Sequence, residues 1–587
     1  MWRPDRRRRF TGWPVRSRHH LVLAVLLLAT GGIAARALWL QVLQNEFLQA
    51  QGNERFLRTV PIPAHRGMIL DRYGDPLAVS SPVDTLWTDP RVLLEPAHRP
   101  LLPRLATVLG WRPADLESRL RARADREFMY LQRHLTPEAA QRVLALQIPG
   151  VYAQREYRRY YPTAEVTSHL LGFTDIDDRG QEGLERAFND TLQGRPGSKQ
   201  VIQDRMGRVV ENVEILQVPE PGQPLLLSID RRIQFLAYRA LKAAVIERQA
   251  VGASAVVVDV RTGEILAMVN QPAGNPNDRS QLRPDLLRNR AVTDVFEPGS
   301  TAKALSVALA LERGVVKPHT PINTSPGVLR IGRYSVTDVH NAGAIDVTRV
   351  IAKSSNVGTS KIAFMLPAEQ LWRFYEQLGF GRSTGLFKVA GEQPGVLRPA
   401  AAWGGPIGHA NHAFGYGFAV TALQLAQAYT VLAADGVRRE LSIVRREAPP
   451  AGETQLLSAD TARQMRLMME LAVSQQGTGA KASVAGYRVA GKTGTARKVV
   501  GRRYTTNHYR ALFAGLVPAT RPRLVGVVMV DDPRRGGYYG GTIAAPIFSE
   551  IMTGALRILN VPPDAVPATQ VATTASPVPD RPEPEHR

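Results

Sequence analysis

The stretch Val295-Phe296-Glu297-Pro298-Gly299-Ser300-Thr301-Ala302-Lys303-Ala304-Leu305 is the most informative in this chain. Pro298-Gly299 breaks the backbone. From Thr301 to Gly314 apolar residues recur at Leu305, Leu309 and Leu311, the spacing of a helix. Ser300 then stands at the helix N-terminus, with Lys303 one turn in on the same face. A serine there is ordinarily an N-cap, and a capping box would place Glu or Gln three residues later. Here that residue is lysine, a cation at the positive end of the helix dipole. Broken local rules of this kind tend to fall at functional sites. The helix end disfavours the ammonium form, so Lys303 is expected to be pushed towards the neutral amine. A neutral lysine beside a serine hydroxyl is a nucleophile–base pair. Arginine could not serve, because it does not deprotonate in proteins.

Two further elements lie downstream. Ser354-Ser355-Asn356 begins 54 residues after Ser300, and Lys492-Thr493-Gly494-Thr495 begins 136 residues beyond Asn356, in an extended run. S-x-x-K, S-x-N and K-[ST]-G each occur once in the chain, in that order. Singly each is weak, since Ser-Asn is common in turns and Lys-Thr-Gly at strand ends. Around them, Ser254 to Val260 and Glu264 to Val269 are β-rich runs flanking the hairpin signal Arg261-Thr262-Gly263. More strands are predicted at Arg488 to Ala496, Ala511 to Val517 and Leu524 to Val530, and Arg232 to Arg248 has a helical period. Strands at both ends with helices between predict one α+β domain whose sheet is closed by its two ends. Pro224 to Asp230 reads as a strand entered from the linker Pro219 to Pro224. Segment 42–222 mixes short extended runs with a helical, Arg-rich stretch, Leu101 to Ile148, and reads as a separate α+β module.

The whole chain has 587 residues, with 74 Lys+Arg against 52 Asp+Glu, a net charge of +22. Ten of the basic residues are Lys and 64 are Arg, and no Lys precedes Lys199. The absence of Cys excludes disulfides, a thiol nucleophile, iron–sulfur clusters and Cys-ligated zinc. His340 and His412 lack partners at metal spacing, so neither a metal nor a cofactor is expected. Residues 1–20 hold seven Arg and one Asp, a basic segment of net charge +6. The apolar run 21–41 that follows is long enough to span a bilayer if Arg36 snorkels to the interface. A cleaved signal peptide at Ala35-Arg36-Ala37 is the competing reading, but apolar character resumes at once from Leu38. Positive charge ahead of the span places the N-terminus in the cytoplasm and the bulk of the chain outside. That topology argues against a nucleic-acid partner, although the net charge alone would have allowed one. Residues 559–587 form a Pro-rich tail expected to be disordered.

Together the three elements are the signature of penicillin-binding proteins and class A β-lactamases. The chain resembles the class B, high-molecular-mass penicillin-binding proteins, most closely their division-specific branch. Arg66-Gly67-Met68-Ile69-Leu70-Asp71-Arg72-Tyr73-Gly74, Arg159-Tyr160-Tyr161-Pro162 and Gly180-Gln181-Glu182-Gly183-Leu184-Glu185 look like boxes of that family's N-terminal module. Tyr539 to Phe548 looks like its last strand and helix. The resemblance implies a pedestal module over 42–222 and a transpeptidase domain over 223–558, with a central antiparallel sheet flanked by helices. It implies Ser300 as acylated nucleophile, Lys303 as general base, and Ser354 and Asn356 across the cleft. Lys492, Thr493, Gly494 and Thr495 would bind the donor's terminal carboxylate, with Arg497 and Tyr416 as further substrate contacts. Tyr509 and Tyr538 are candidate cleft walls. The implied partners are donor and acceptor stem peptides, nascent glycan strands, β-lactams, the inner membrane, an FtsW-type glycosyltransferase and other division proteins. His412 to Gly417 departs from the phrase common in division enzymes, which leaves contacts near Tyr416 open. An elongation-specific transpeptidase is the alternative within the class. A β-lactam hydrolase or sensor would need a deacylating Glu or further membrane segments, and neither is evident.

Overall fold

The computed structural model describes residues 15–44, 57–203, 209–281, 283–387, 391–446, 448, 453–501 and 503–565. Residues 1–14 of the basic segment and 566–587 of the tail lie outside the described residues. An α-helix, Val15–Leu38, runs into a π-turn at Trp39–Leu43. Among the described residues one helical stretch, His19–Val42, is long and apolar enough to cross a membrane.

The chain forms two compact units. The first comprises the described parts of Met1–Ala64 with Pro82–Tyr157 and Arg195–Glu220. It contains a three-stranded antiparallel sheet in which Gly197–Gln203 lies between Leu57–Ile62 and Val209–Gln217. Helices Leu102–Leu109, Pro113–Arg121 and Pro137–Leu144 bury Leu105, Leu116, Leu120 and Val143 in a core of their own. The sequence reading made Leu101 to Ile148 helical throughout, but a strand, Met129–Leu135, interrupts it. Met129 and Leu131 are buried while Tyr130 between them is exposed, a period of two, and the strand pairs with Asp84 to Thr88.

The second unit comprises the described parts of His65–Ser81, Arg158–Gly194 and Pro221–Arg587. Three of the boxes noted above meet there on one buried carboxylate. Glu185 accepts from Arg66 Nε at 2.8 Å and from Arg159 Nε at 2.6 Å, and all three side chains are buried. Arg66 also donates to Glu185 O and Asn189 Oδ1, and Arg159 to Gly67 O and Ser80 Oγ, while Arg159 Nη2 is buried without a hydrogen-bond partner among the described residues.

In chain order the remainder of this unit contains α1 (Arg231–Arg248), β1 (Gly252–Asp259), β2 (Ile265–Gln271), α2 (Lys303–Glu312), α3 (Val347–Lys353) and α4 (Asn356–Ala363). There follow α5 (Ala422–Ala433), α6 (Ala459–Val473), β3 (Ala490–Val500), β4 (Arg503–Val517), β5 (Leu524–Asp531) and α7 (Gly540–Ile558). The sheet order is β2-β1-β5-β4-β3, antiparallel throughout, so the two ends of the region close it as the strand pattern predicts. Every residue of β1 and β2 is buried. Val257 and Val528 face α1 and α7, with Leu241 and Phe548 in the same cluster, whereas Val256 and Val527 face the cluster that holds Leu423 and Leu305. Burial on both faces explains the continuous apolar runs. The strand expected at Pro224 to Asp230 shrinks to Leu225–Leu226, because Asp230 N-caps α1 by accepting from Arg232 N. The helix expected from Thr301 opens as a 3₁₀ turn, Gly299–Ala302, before α2 begins at Lys303.

Candidate active site

The nucleophile turn is held by backbone contacts. Gly299, at φ +53°, donates its N–H to Gly415 O at 2.9 Å. Thr301 Oγ1 donates to Pro298 O at 2.7 Å, and Tyr429 OH donates to Thr301 O at 2.8 Å from the buried face of α5. Gly415, at φ +93°, lies so close that a Cβ there would fall 1.9 Å from Gly299 O. A Cβ on Gly494 would fall 2.9 Å from Thr301 Cγ2 and 3.0 Å from Pro298 O, so β3 rests directly on the same turn. Ser300, Gly415 and the K-T-G strand are thereby locked together.

Lys303 is fully buried at the start of α2. Its Nζ donates to Ser354 O at 2.5 Å, to Asn356 Oδ1 at 2.6 Å and to Ser354 Oγ at 3.3 Å. Burial, then the charge of Lys492, pushes its pKa well below the ordinary lysine value, while Asp338 acts the other way. The S-x-N element earns this position through a strained residue. Ser354 caps α3 in the left-handed region at φ +60°, which costs a non-glycine residue about 1–3 kcal/mol.

A carboxylate that the sequence reading missed anchors that element. Asp338 accepts from Ser355 Oγ at 2.5 Å and from the N–H groups of Asn356 at 2.5 Å and Val357 at 3.0 Å, the first donors of α4. Ser355 Oγ in turn accepts from Gly358 N, and Asn356 Nδ2 donates to Thr337 O at 2.7 Å. Each side chain of the S-x-N triplet therefore has a defined partner.

On β3, Lys492 is fully buried and donates to Ser354 Oγ at 2.8 Å and Thr493 O at 3.3 Å, and burial lowers it to about 7. The Thr493 hydroxyl is 2.7 Å from that of Thr478, and Thr495 Oγ1 accepts from Gly540 N at 3.1 Å. Ser354 Oγ thus sits between two buried lysines whose proximity favours the neutral amine at one of them.

Ser300, Ser354, Asn356, Thr493, Thr495, Arg497 and Tyr416 all line one cleft of about 1250 Å³. Lys303, Lys492 and Gly494 lie buried behind it. Tyr509 and Tyr538 also line the cleft, with their rings stacked at 4.1 Å. Tyr416 packs edge-on to Tyr504 at 5.9 Å. Glu297 accepts from both Gly417 N and Tyr504 OH at 2.8 Å, and burial raises its pKa. His412 points into the core, stacked 3.8 Å from Trp403 with Nδ1 on Gly408 O, so it is a packing residue behind the tyrosine. Among the described residues no cluster of three or more His, Cys, Asp or Glu could hold a metal. Asp338 and Thr478 had no sequence signal, and Glu297 was legible only as part of the phrase leading into Ser300. Each acts through a partner 15 or more residues away.

A serine and a lysine one helical turn apart, a second serine bridging two buried lysines, and a hydroxyl-lined strand define a serine acyltransferase site. Residues 253–553 match the family described as "Penicillin binding protein transpeptidase domain", and residues 61–227 match "Penicillin-binding Protein dimerisation domain". The chain is 42% identical to the probable peptidoglycan D,D-transpeptidase PbpC of Pseudomonas aeruginosa, over 93% of this chain and 95% of that one. It is 41% identical to the peptidoglycan D,D-transpeptidase FtsI of Escherichia coli K12, over 96% and 95% respectively. A solved peptidoglycan synthetase of Bifidobacterium adolescentis superposes with a TM-score of 0.69 at 26% identity, covering 87% of this chain and 98% of that one. The chain belongs to the class B penicillin-binding proteins.

Proposed function

We propose that this protein is a peptidoglycan D,D-transpeptidase that cross-links stem peptides at the division septum through an acyl-enzyme on Ser300. The observation that carries the chemistry is the fully buried Lys303, whose low pKa suits it to take the Ser300 proton. Ser300 Oγ attacks the carbonyl of the penultimate D-alanine, and the N–H groups of Ser300 and Thr495 stabilise the oxyanion. The C–N bond breaks, and Ser354 relays a proton to the departing D-alanine. A second stem peptide's amine then attacks the ester and restores Ser300. Lys492, Thr493 and Thr495 hold the donor's terminal carboxylate, with Arg497 beside them, and Tyr416 walls the cleft. In this structure Lys303 spends its bonds on Ser354 and Asn356, so substrate binding must bring one of them to Ser300 Oγ, as free and liganded sites commonly differ. β-Lactams would acylate Ser300 as mimics of the donor.

The septal role rests on the similarity to FtsI across nearly the whole chain. Anchorage of the apolar helix in the inner membrane, with the catalytic unit outside, would place it beside an FtsW-type glycosyltransferase. PbpC, a probable peptidoglycan D,D-transpeptidase, is similar to the same degree, so the likeness to FtsI does not decide the role alone, and an elongation role is the competing reading. Ser300→Ala should abolish labelling by a fluorescent penicillin while leaving the melting transition intact; persistent labelling would refute the assignment. A fluorescent fusion should collect at the septum, and side-wall signal would favour elongation.

A further inference from the structure

The segment that leads into Ser300 is held along both sides. On one side it pairs with the turn that carries Tyr416: Phe296 and Val420 exchange backbone hydrogen bonds, each 2.9 Å, and Gly299 N–H reaches Gly415 O. On the other side lies the β3–β4 hairpin. Arg510 Nη1 donates to Val295 O at 3.4 Å, while its Nε donates to Asp531, which also takes Lys498 Nζ at 3.0 Å. Glu297 touches both sides with one atom, because its Oε1 accepts from Gly417 N and from Tyr504 OH.

The hairpin has a physical need for that contact. β5 pairs with β4 as far as Arg510, opposite Asp531. Beyond it, among the described residues, β3 and β4 pair only with each other, out to Val500 and Arg503. A two-stranded ribbon is marginally stable alone. Tyr504 follows the closing pair and is half exposed, so its bond to Glu297 fastens the free end of the ribbon. Tyr504 and Tyr416 both line the cleft, ring edge to ring face. The carboxylate is a costly fastener: Oε2 is buried without a hydrogen-bond partner among the described residues, a penalty that an apolar residue would avoid. A side chain kept against stability points to a role beyond stability.

We propose that Glu297 is a positioning residue for the donor, fastening the tip of the β3–β4 hairpin to the Tyr416 turn so that Tyr416 and Tyr504 stand as one fixed wall before substrate enters. The inference rests on the transpeptidase reading. The bonds of Lys303 run to Ser354 and Asn356, which Asp338 anchors, and Glu297 is not among them. Loss of the fastening therefore weakens capture of the donor and leaves the attack by Ser300 largely intact. Because the tie is made by an acceptor oxygen, the neutral amide of glutamine can replace the carboxylate.

The test uses the full chain and a thioester donor, with the released thiol followed in the pre-steady-state burst. The burst gives a limiting acylation rate and the donor concentration that half-saturates it. Glu297→Ala should raise that concentration about three- to tenfold, the scale of about one lost hydrogen bond, and leave the limiting rate within about twofold. Tyr504→Phe should raise the same quantity, and Glu297→Gln should stay close to wild type. The double variant Glu297→Ala/Tyr504→Phe should be no worse than Glu297→Ala, since both changes break one contact. A half-saturating concentration unmoved in Glu297→Ala, a loss in the limiting rate alone, a glutamine variant as impaired as the alanine one, or additive effects in the double variant would overturn the inference. If Glu297→Ala fails to fold, Tyr504→Phe against Glu297→Gln decides by the same two numbers. Absence of any burst in the wild type would instead overturn the transpeptidase reading, and the role of Glu297 with it.

Discussion

Replacing Asp338 with Asn tests whether the S-x-N element is held by charge. The carboxylate takes two backbone N–H groups of α4 on Oδ1 and the Ser355 hydroxyl on Oδ2. Hydrogen bonds to a charged acceptor contribute about 1.5–3 kcal/mol each, against about 0.5–1.5 for neutral ones. Asparagine can keep the two N–H contacts but must turn its amide nitrogen towards Ser355. The expected loss is about 2–3 kcal/mol, read as a lower Tm. Asn356 orients Lys303, so a displacement costing about 1.4–2 kcal/mol at the site slows acylation about 10- to 30-fold. The pH dependence discriminates this from simple damage. The negative charge of Asp338 favours the protonated form of Lys303, so its removal makes that lysine easier to deprotonate. The acid limb of the acylation rate should move to lower pH. Stopped-flow acylation by a chromogenic β-lactam across pH gives both numbers. An unchanged rate, or a limb that moves to higher pH, would refute the reasoning.

Wild-type acylation by a carboxylate-bearing penicillin should rise with pH as Lys303 loses its proton and fall again above about 7 as Lys492 does. Lys492→Arg should remove the alkaline fall, because arginine stays charged; a wild-type rate flat through neutrality would contradict this. Glu185→Gln strips the counter-charge from buried Arg66 and Arg159 and should cost about 3–5 kcal/mol in chemical denaturation. Gly415→Ala puts a methyl group against Gly299 O at a φ that alanine avoids, so penicillin labelling should drop at least about tenfold. Full labelling in that variant would mean the turn is softer than its contacts imply.

The sequence was most readable where its local rules conflicted. Ser300 followed by Lys303 in place of a capping acid marked the site, and the paired apolar runs marked a two-sided sheet. In a chain with 64 Arg and 10 Lys, lysine at 303 and 492 was itself a signal. What stayed hidden depended on long-range partners. Asp338 looks like any loop aspartate until the first turn of α4 is placed on it. Met129–Leu135 was absorbed into a helical stretch because its period of two covers a few residues between strongly helical neighbours. The closure of Arg66 and Arg159 on Glu185 joins residues up to 119 positions apart, so it too became visible only in the structure.

The contact of Gly299 with Gly415 and Thr495 also bears on when this enzyme can first react. The nucleophile turn is braced by residues 116 and 196 positions further along the chain (415 − 299 and 495 − 299). Such distant closures carry a large entropic cost and are made late in folding. A partly folded or still emerging chain would present Ser300 on an unbraced loop with Lys303 exposed and protonated. Reactivity would then begin only when β3 docks, which makes acylation by penicillin a direct reporter of completed folding.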